Sequence, residues 1–170
     1  MALEKLPNRT YPALGLSLTE RAIKEAFSKR CSSTELEELR QHFLKKGPLR
    51  CTYCGKSKPD RWDHVYPVSQ GGDTVKGNLM PACGSCDDSK QNRSPQEWLF
   101  SESKKKPPLE RLGEIVRTIA EHRKDFSYEP SQFPDKLTNE QKAIYAEFQT
   151  HITTLREFFK KHGITDKGSA

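Results

Sequence analysis

The chain has 170 residues, 29 Lys and Arg against 23 Asp and Glu for a net charge of +6, 33% hydrophobic residues and five cysteines. That length suits one domain or a small module with flanks, no stretch approaches the roughly 18 apolar residues of a membrane span, and an odd cysteine count argues against a disulfide framework. These features exclude a transmembrane protein, a secreted disulfide scaffold and a large multidomain enzyme. The first residues carry charge and proline where a signal peptide needs a continuous apolar run, so a cytoplasmic, intracellular location is expected.

Ser17-Leu18-Thr19-Glu20 fits a capping box, and Leu18, Ala22, Ile23, Ala26 and Phe27 follow at helical spacing, which predicts a helix from about 18 to 30. Cys31-Ser32-Ser33 breaks it and supplies the next cap. Leu36, Leu39, Phe43 and Leu44 form one face of a second helix that stops at Gly47-Pro48, so residues 1–47 read as a helical hairpin. Residues 48–100 change character. Arg61–Tyr66 reads as a strand, Ser69-Gln70-Gly71-Gly72 as a loop and Leu79-Met80 as a second short strand. Helix is expected from the second cysteine pair, and again after Ser94 with Pro95 at its first position.

Lys104-Lys105-Lys106-Pro107-Pro108 is a linker into a C-terminal helical region, 101–165. Leu109, Leu112, Ile115, Val116, Ile119 and Ala120 trace an amphipathic helix. Residues 125–137 form a loop. A box at Thr138-Asn139-Glu140-Gln141 opens a long helix with Ile144, Phe148, Ile152, Leu155 and Phe159 on its apolar face, ending at Gly163. Residues 166–170 read as a flexible tail. The fold class is therefore α+β, mostly α. Charge is unevenly spread along this order: residues 45–106 hold 12 basic and seven acidic side chains, nearly all of the net excess. A localised basic excess is the footprint of a polyanion binder or of a solvated Lys-rich surface.

Cys51-Thr52-Tyr53-Cys54 and Cys83-Gly84-Ser85-Cys86 are two C-x-x-C pairs separated by 28 residues. Two such turns bring four thiolates onto one tetrahedral ion, and this spacing predicts one structural Zn²⁺ per chain. Four thiolates leave zinc no open position, so that metal does no chemistry, and its binding contributes to folding on the order of 10 kcal/mol. Cys31 stands apart as a free cysteine.

Between and beyond the pairs the chain reads Asp63-His64-x-x-Pro67-x-Ser69-x-Gly71-Gly72, then Asn78-Leu79, then Cys83-x-x-Cys86-Asp87-x-x-Lys90. With the leading Cys51-x-x-Cys54-Gly55, this resembles the HNH endonuclease family, the cysteine-bearing branch of the ββα-metal nucleases. The likeness spans roughly residues 49–99. It implies a zinc-stapled ββα unit in which His64 is the general base and Asp63 and Asp87 hold a single catalytic Mg²⁺ or Mn²⁺. Asn78 would tie the loop across the hairpin. Asp87 departs from the Asn or His usual at that position, and Asp88 is a neighbouring candidate. Lys90, a turn beyond Asp87, is expected to approach a phosphate oxygen; Arg61, Lys76 and Arg93 are further candidate nucleic-acid contacts.

The chemistry suits these residue types, because phosphodiester hydrolysis needs a deprotonated water, neutralised phosphate charge and a stabilised leaving oxygen. Imidazole titrates near neutrality, as a general base should. The resemblance implies a metal-dependent DNA endonuclease leaving 5′-phosphate and 3′-hydroxyl ends, with restriction, phage or defence as settings. One site nicks one strand, so double-strand cleavage requires a homodimer, another partner or two encounters. A catalytically inactive zinc module that binds nucleic acid, and a nuclease acting on RNA or structured DNA, are the alternatives. No membrane association is expected.

Overall fold

The computed structural model describes residues 12–56 and 58–164. In chain order the elements are α1 (Pro12–Ala26), α2 (Ser33–Lys46), β1 (Arg61–His64), β2 (Leu79–Ala82), α3 (Gly84–Lys90), α4 (Pro95–Leu99), α5 (Leu112–Asp125) and α6 (Asn139–Lys161). Single 3₁₀ turns occur at Val68–Gln70, Lys76–Asn78, Leu109–Arg111 and Phe133–Lys136. The fold class is α+β and mostly α, and no helix among the described residues is long and apolar enough to cross a membrane.

The chain divides into two compact units. One comprises the residues up to Ile23 with those from Leu137 onward, and the other is Lys24–Lys136. This division differs from the boundaries at 47 and 100 expected from composition. The cause is a shared core in the larger unit, where Phe43 of α2 and Leu112, Ile115 and Ile119 of α5 pack on Cys51, Tyr53, Met80 and Trp98. The expected 166–170 tail lies outside the described residues.

Local chemistry sets the helix ends. Ser32 caps α2 through a box with Glu35, Ser94 caps α4 through a box with Glu97, and Thr138 caps α6 through a box with Gln141. In each, a hydroxyl and a carboxylate or amide satisfy amides that have no partner within the helix. The Ser17–Glu20 pattern does not act this way. It lies inside α1, and Thr19 Oγ1 bonds back to the Gly15 carbonyl at 2.9 Å. Gly47, with φ +141°, ends α2.

In the larger unit β1 and β2 pair antiparallel, with Asp63 opposite Met80 and His64 opposite Leu79. The first strand stops two residues short of the expected Tyr66 because Asn78 takes over its bonds. Val65 N donates to the Asn78 carbonyl (2.9 Å) and Tyr66 N to Asn78 Oδ1 (2.8 Å). Trp98 is fully buried, edge-on to Tyr53 with ring centroids 5.3 Å apart. Trp62 lies against Phe43. Both tryptophans therefore cover the small hairpin–helix unit.

In the smaller unit α6 buries Tyr145 and Ile152 and pairs Arg156 with Glu20. Ile144 and Leu155, expected on its inward face, are instead 61% and 42% exposed.

Candidate active site and metal centre

The four paired cysteines converge. Their Sγ atoms all lie within 4.8 Å of one another, and Cys54 and Cys83 are 3.9 Å apart. A tetrahedron with zinc–sulfur bonds of about 2.3 Å has edges of about 3.8 Å, so the sulfurs are spaced for one metal ion. Local backbone builds each turn: Gly55 N donates to the Cys51 carbonyl (2.9 Å), and Cys86 N and Asp87 N to the Cys83 carbonyl (both 3.0 Å). Gly55 sits at φ +71°, and a Cβ there would meet the Arg111 guanidinium at 2.3 Å. The hydrogen bond between Cys86 and Cys51 lowers the Cys51 thiol and raises that of Cys86, so the two share one proton unevenly. Cys31 is a free thiol apart from this cluster, and its amide donates to the Thr74 carbonyl at 2.6 Å.

The second cysteine pair opens α3, and that helix supplies the next residues of the site. Asp63 on β1 is only 4% exposed. Its carboxylate accepts from the Tyr53 hydroxyl and from Lys90 Nζ, the latter at 3.1 Å. Burial pushes Asp63 up to about 6 against the pull of Lys90 and Tyr53, and the nearby Asp87 carboxyl adds to the rise. Burial and the adjoining Asp63 push the Tyr53 phenol well above its usual value, so it remains a donor. Asp63 and Asp87 are thus neighbouring carboxyl groups, as a two-carboxylate cation site requires. Asp87 also accepts from Arg61 Nη1 at 3.1 Å. Asp88 meets the same guanidinium, but its side chain is 69% exposed against 28% for Asp87. Between the two candidates, the geometry favours Asp87.

His64 ends β1. Its Nε2 lies 2.9 Å from Thr74 Oγ1, which fixes the ring's rotation. Thr74 is itself held by backbone pairing, donating to the Lys29 carbonyl (2.9 Å) and accepting from Cys31 N. Asn78 is fully buried: its amide donates to the carbonyls of Tyr66 (2.9 Å) and Asp73 (2.8 Å) and accepts from Tyr66 N. This side chain closes the 65–78 loop that presents His64 and Thr74. Gly72 completes that loop, because a Cβ there would fall 1.9 Å from the Tyr66 carbonyl oxygen.

The four expected nucleic-acid contacts are not presented as the sequence suggests. Lys90 is corrected outright. It is 0% exposed, and its ammonium turns inward onto Asp63 and the His64 carbonyl (2.8 Å), where no phosphate can reach it. Its position on α3 faces β1, and a long stem lets the charged end span the gap between helix and hairpin. Arg93 spends its guanidinium on the carbonyls of Lys90 (3.1 Å) and Ser89 (2.5 Å) at the end of α3. Lys76 pairs with Glu38 at 2.7 Å and lies over the Phe126 ring. Arg61 is exposed but bridges Asp87 and Asp88. Lys45, Arg50, Lys56 and Lys58, around the first cysteine turn, are also exposed.

Three residues escaped the sequence reading. Tyr53 sits inside the first C-x-x-C turn and was passed over as a spacer. Thr74 follows the glycine pair and carries no motif of its own. His122 extends the Ile115–Ile119 spacing by one more step, a signal that was available. It is 2% exposed, its Nε2–H donates to the Lys76 carbonyl at 2.8 Å, and burial pushes it down to about 4.

Residues 51–93 match the model of the HNH endonuclease family. The matched segment, about a quarter of the chain, contains all four clustered cysteines together with Asp63, His64, Asn78 and Asp87. Comparison with curated proteins and with solved structures gave no match.

Proposed function

We propose that this protein is an HNH endonuclease that hydrolyses DNA phosphodiester bonds with His64 as general base. The observation that carries the reading is the HNH match over residues 51–93 coinciding with a buried carboxylate, Asp63, held by Lys90 and Tyr53 and adjoining the helix that begins at the second cysteine pair and carries Asp87. Zn²⁺ is the metal for the four cysteines, and its role is structural.

Asp63 and Asp87 would hold the catalytic Mg²⁺ or Mn²⁺, which when bound neutralises the scissile phosphate and the departing oxygen. A hard cation with a few carboxylates, waters and substrate oxygens is the usual arrangement for these metals, and the donor set fits it. Lys90 and Tyr53 fix the Asp63 carboxylate from the protein side. Thr74 holds the His64 ring at a set angle, so the imidazole can accept a proton from water without first losing rotamer freedom. Asn78 and Gly72 keep the loop between them rigid. Exposed Lys45, Arg50, Lys56 and Lys58 offer phosphate contacts, and binding through them falls steeply with salt.

The test is incubation of supercoiled plasmid, and of linear single-stranded DNA and RNA, with zinc-loaded protein and Mg²⁺, Mn²⁺ or Ni²⁺. Wild-type protein should nick plasmid, while His64→Ala and EDTA controls leave it intact. Cleavage of RNA alone would assign the substrate differently. No cleavage of any substrate would leave a zinc-containing nucleic-acid-binding module, and equal cutting by His64→Ala would remove the general base.

A further inference from the structure

α6 carries a feature that the nuclease reading does not use. Its 23 residues span about 34 Å at 1.5 Å per residue. One row of side chains, Tyr145 and Ile152 with Phe148 and Phe159 partly covered, faces its own unit. A second row runs Ile144, Phe148, His151, Leu155, Phe158 and His162. Its intervals are four, three, four, three and four residues, the two-position heptad repeat of a helix–helix seam. Ile144 is 61% exposed, Leu155 42% and Phe158 50%, and both histidines are exposed. Single exposed apolar residues are ordinary. Four apolar residues and two histidines in heptad register, with Phe148 at the edge of the covered face, have the spacing of a helix–helix seam.

We propose that this seam pairs with α6 of a second copy of the chain, antiparallel, to form a twofold dimer. The charges flanking the seam select this occupant and this direction. Glu147, Thr154 and Lys161 each immediately precede a seam residue at seven-residue intervals. In an antiparallel pair centred near Thr153, Phe148 meets the partner's Phe158 and His151 meets the partner's Leu155. Glu147 then faces the partner's Lys161 at both ends, and Thr154 faces its own copy. Flanking charges of this kind set partner and orientation in paired helices. A parallel pair in register would set Glu147 beside the partner's Ile152 and Thr154 beside its Phe159, apolar side chains that pack or lie partly covered within their own unit, so Glu147 would gain no partner. A twofold contact is also self-complementary by construction. On the nuclease reading, one dimer carries two HNH domains and so one active site for each DNA strand; the pairing itself does not depend on that reading.

The experiment is sedimentation equilibrium of the zinc-loaded full chain between about 1 and 100 μM. Wild-type protein should sediment at twice the 19.5 kDa of the chain. Leu155→Glu and, separately, Ile144→Glu should weaken association at least about 100-fold, because each buries a charge in the seam. Circular dichroism and zinc content should be unchanged, since both side chains are largely outside their own core. Glu147→Lys or Lys161→Glu alone should weaken it about tenfold, and the combined exchange should restore it. A monomer throughout overturns the proposal, and so does a dimer indifferent to both glutamate variants. Failure of the double exchange to restore pairing overturns the antiparallel register. Because none of these measurements uses cleavage, an inactive nuclease and an absent dimer give different results.

Discussion

Lys90→Met isolates the electrostatics under the site. Lys90 and Asp63 form an ion pair with side chains 0% and 5% exposed, at 3.1 Å. Methionine has nearly the volume of lysine and fills the same channel, so the perturbation is the loss of charge and of the bond to the His64 carbonyl. Removing one member of a buried pair leaves an uncompensated charge, which costs about 3–5 kcal/mol. Asp63 already titrates at about 6 with Lys90 present, because burial outweighs the pull of the ammonium. Without Lys90 its carboxyl rises further. A carboxyl raised on folding binds more protons in the native state than in the unfolded one, so the stability it contributes is present at low pH and lost as pH rises through the folded value.

Lys90→Met should therefore be far more destabilised at pH 8 than at pH 6, where Asp63 escapes the penalty by protonating. The assay is urea denaturation at both pH values with zinc in constant excess. Lys90→Met/Asp63→Asn should recover at least half of the loss at pH 8, because a neutral amide replaces the stranded carboxylate. A cost below about 1 kcal/mol at pH 8, or no recovery in the double variant, would refute the argument that Lys90 serves as an internal counter-charge.

Asn78→Ala should lower stability by about 2–4 kcal/mol in thermal melts, since it strands the Tyr66 amide and the Tyr66 and Asp73 carbonyls in a buried loop. Asn78→Asp should not rescue it, because an acid cannot replace the two donated bonds. Thr74→Val should leave the melting temperature within a few degrees and lower kcat about 10- to 100-fold with little change in KM, as expected when a general base loses its orienting bond. His122, held neutral down to about 4, should add an acid-sensitive element. Its stability contribution is intact above about 6.5 and falls by up to about 3 kcal/mol between pH 6.5 and 4, so pH titrations of wild type and His122→Phe should differ by one proton across that window. Chelation of zinc should unfold Lys24–Lys136 and abolish near-ultraviolet dichroism from Trp62 and Trp98, and Cys83→Ser should do the same without chelator.

Helix starts were legible wherever a cap stood beside an apolar period, as at Ser32, Ser94 and Thr138, because the capping bonds are made within three residues. The cysteine cluster was legible for a similar reason, since each pair forms a turn from its own backbone. Ser17–Glu20 shows the limit: the same pattern lies within α1, and sequence spacing does not say whether a helix begins there or passes through. Ile144 and Tyr145 show another. They are adjacent apolar residues on α6, and only packing determines that Tyr145 turns inward while Ile144 faces solvent. The inward turn of Lys90 was illegible because a lysine one turn beyond an expected cation ligand reads as a phosphate contact. What reverses it is the desolvated carboxylate at Asp63, a partner 27 positions away.

The cysteine centre and the proposed cation site are mechanically joined at α3. That helix has only seven residues, Gly84–Lys90, too few to hold itself in water. Its first turn is fixed by Cys83 and Cys86, and Asp87 follows Cys86 by one peptide bond, with Lys90 one turn further on. The cysteine centre therefore sets the position of a carboxylate that takes no part in binding its ion. Tyr53 repeats the connection from the other side, since the first cysteine turn delivers its hydroxyl to Asp63. With both turns bearing on Asp63 and Asp87, loss of the ion from the cysteine centre should displace both carboxylates. On the nuclease reading, affinity for the proposed cation should then depend on zinc occupancy, with no contact between the two ions required.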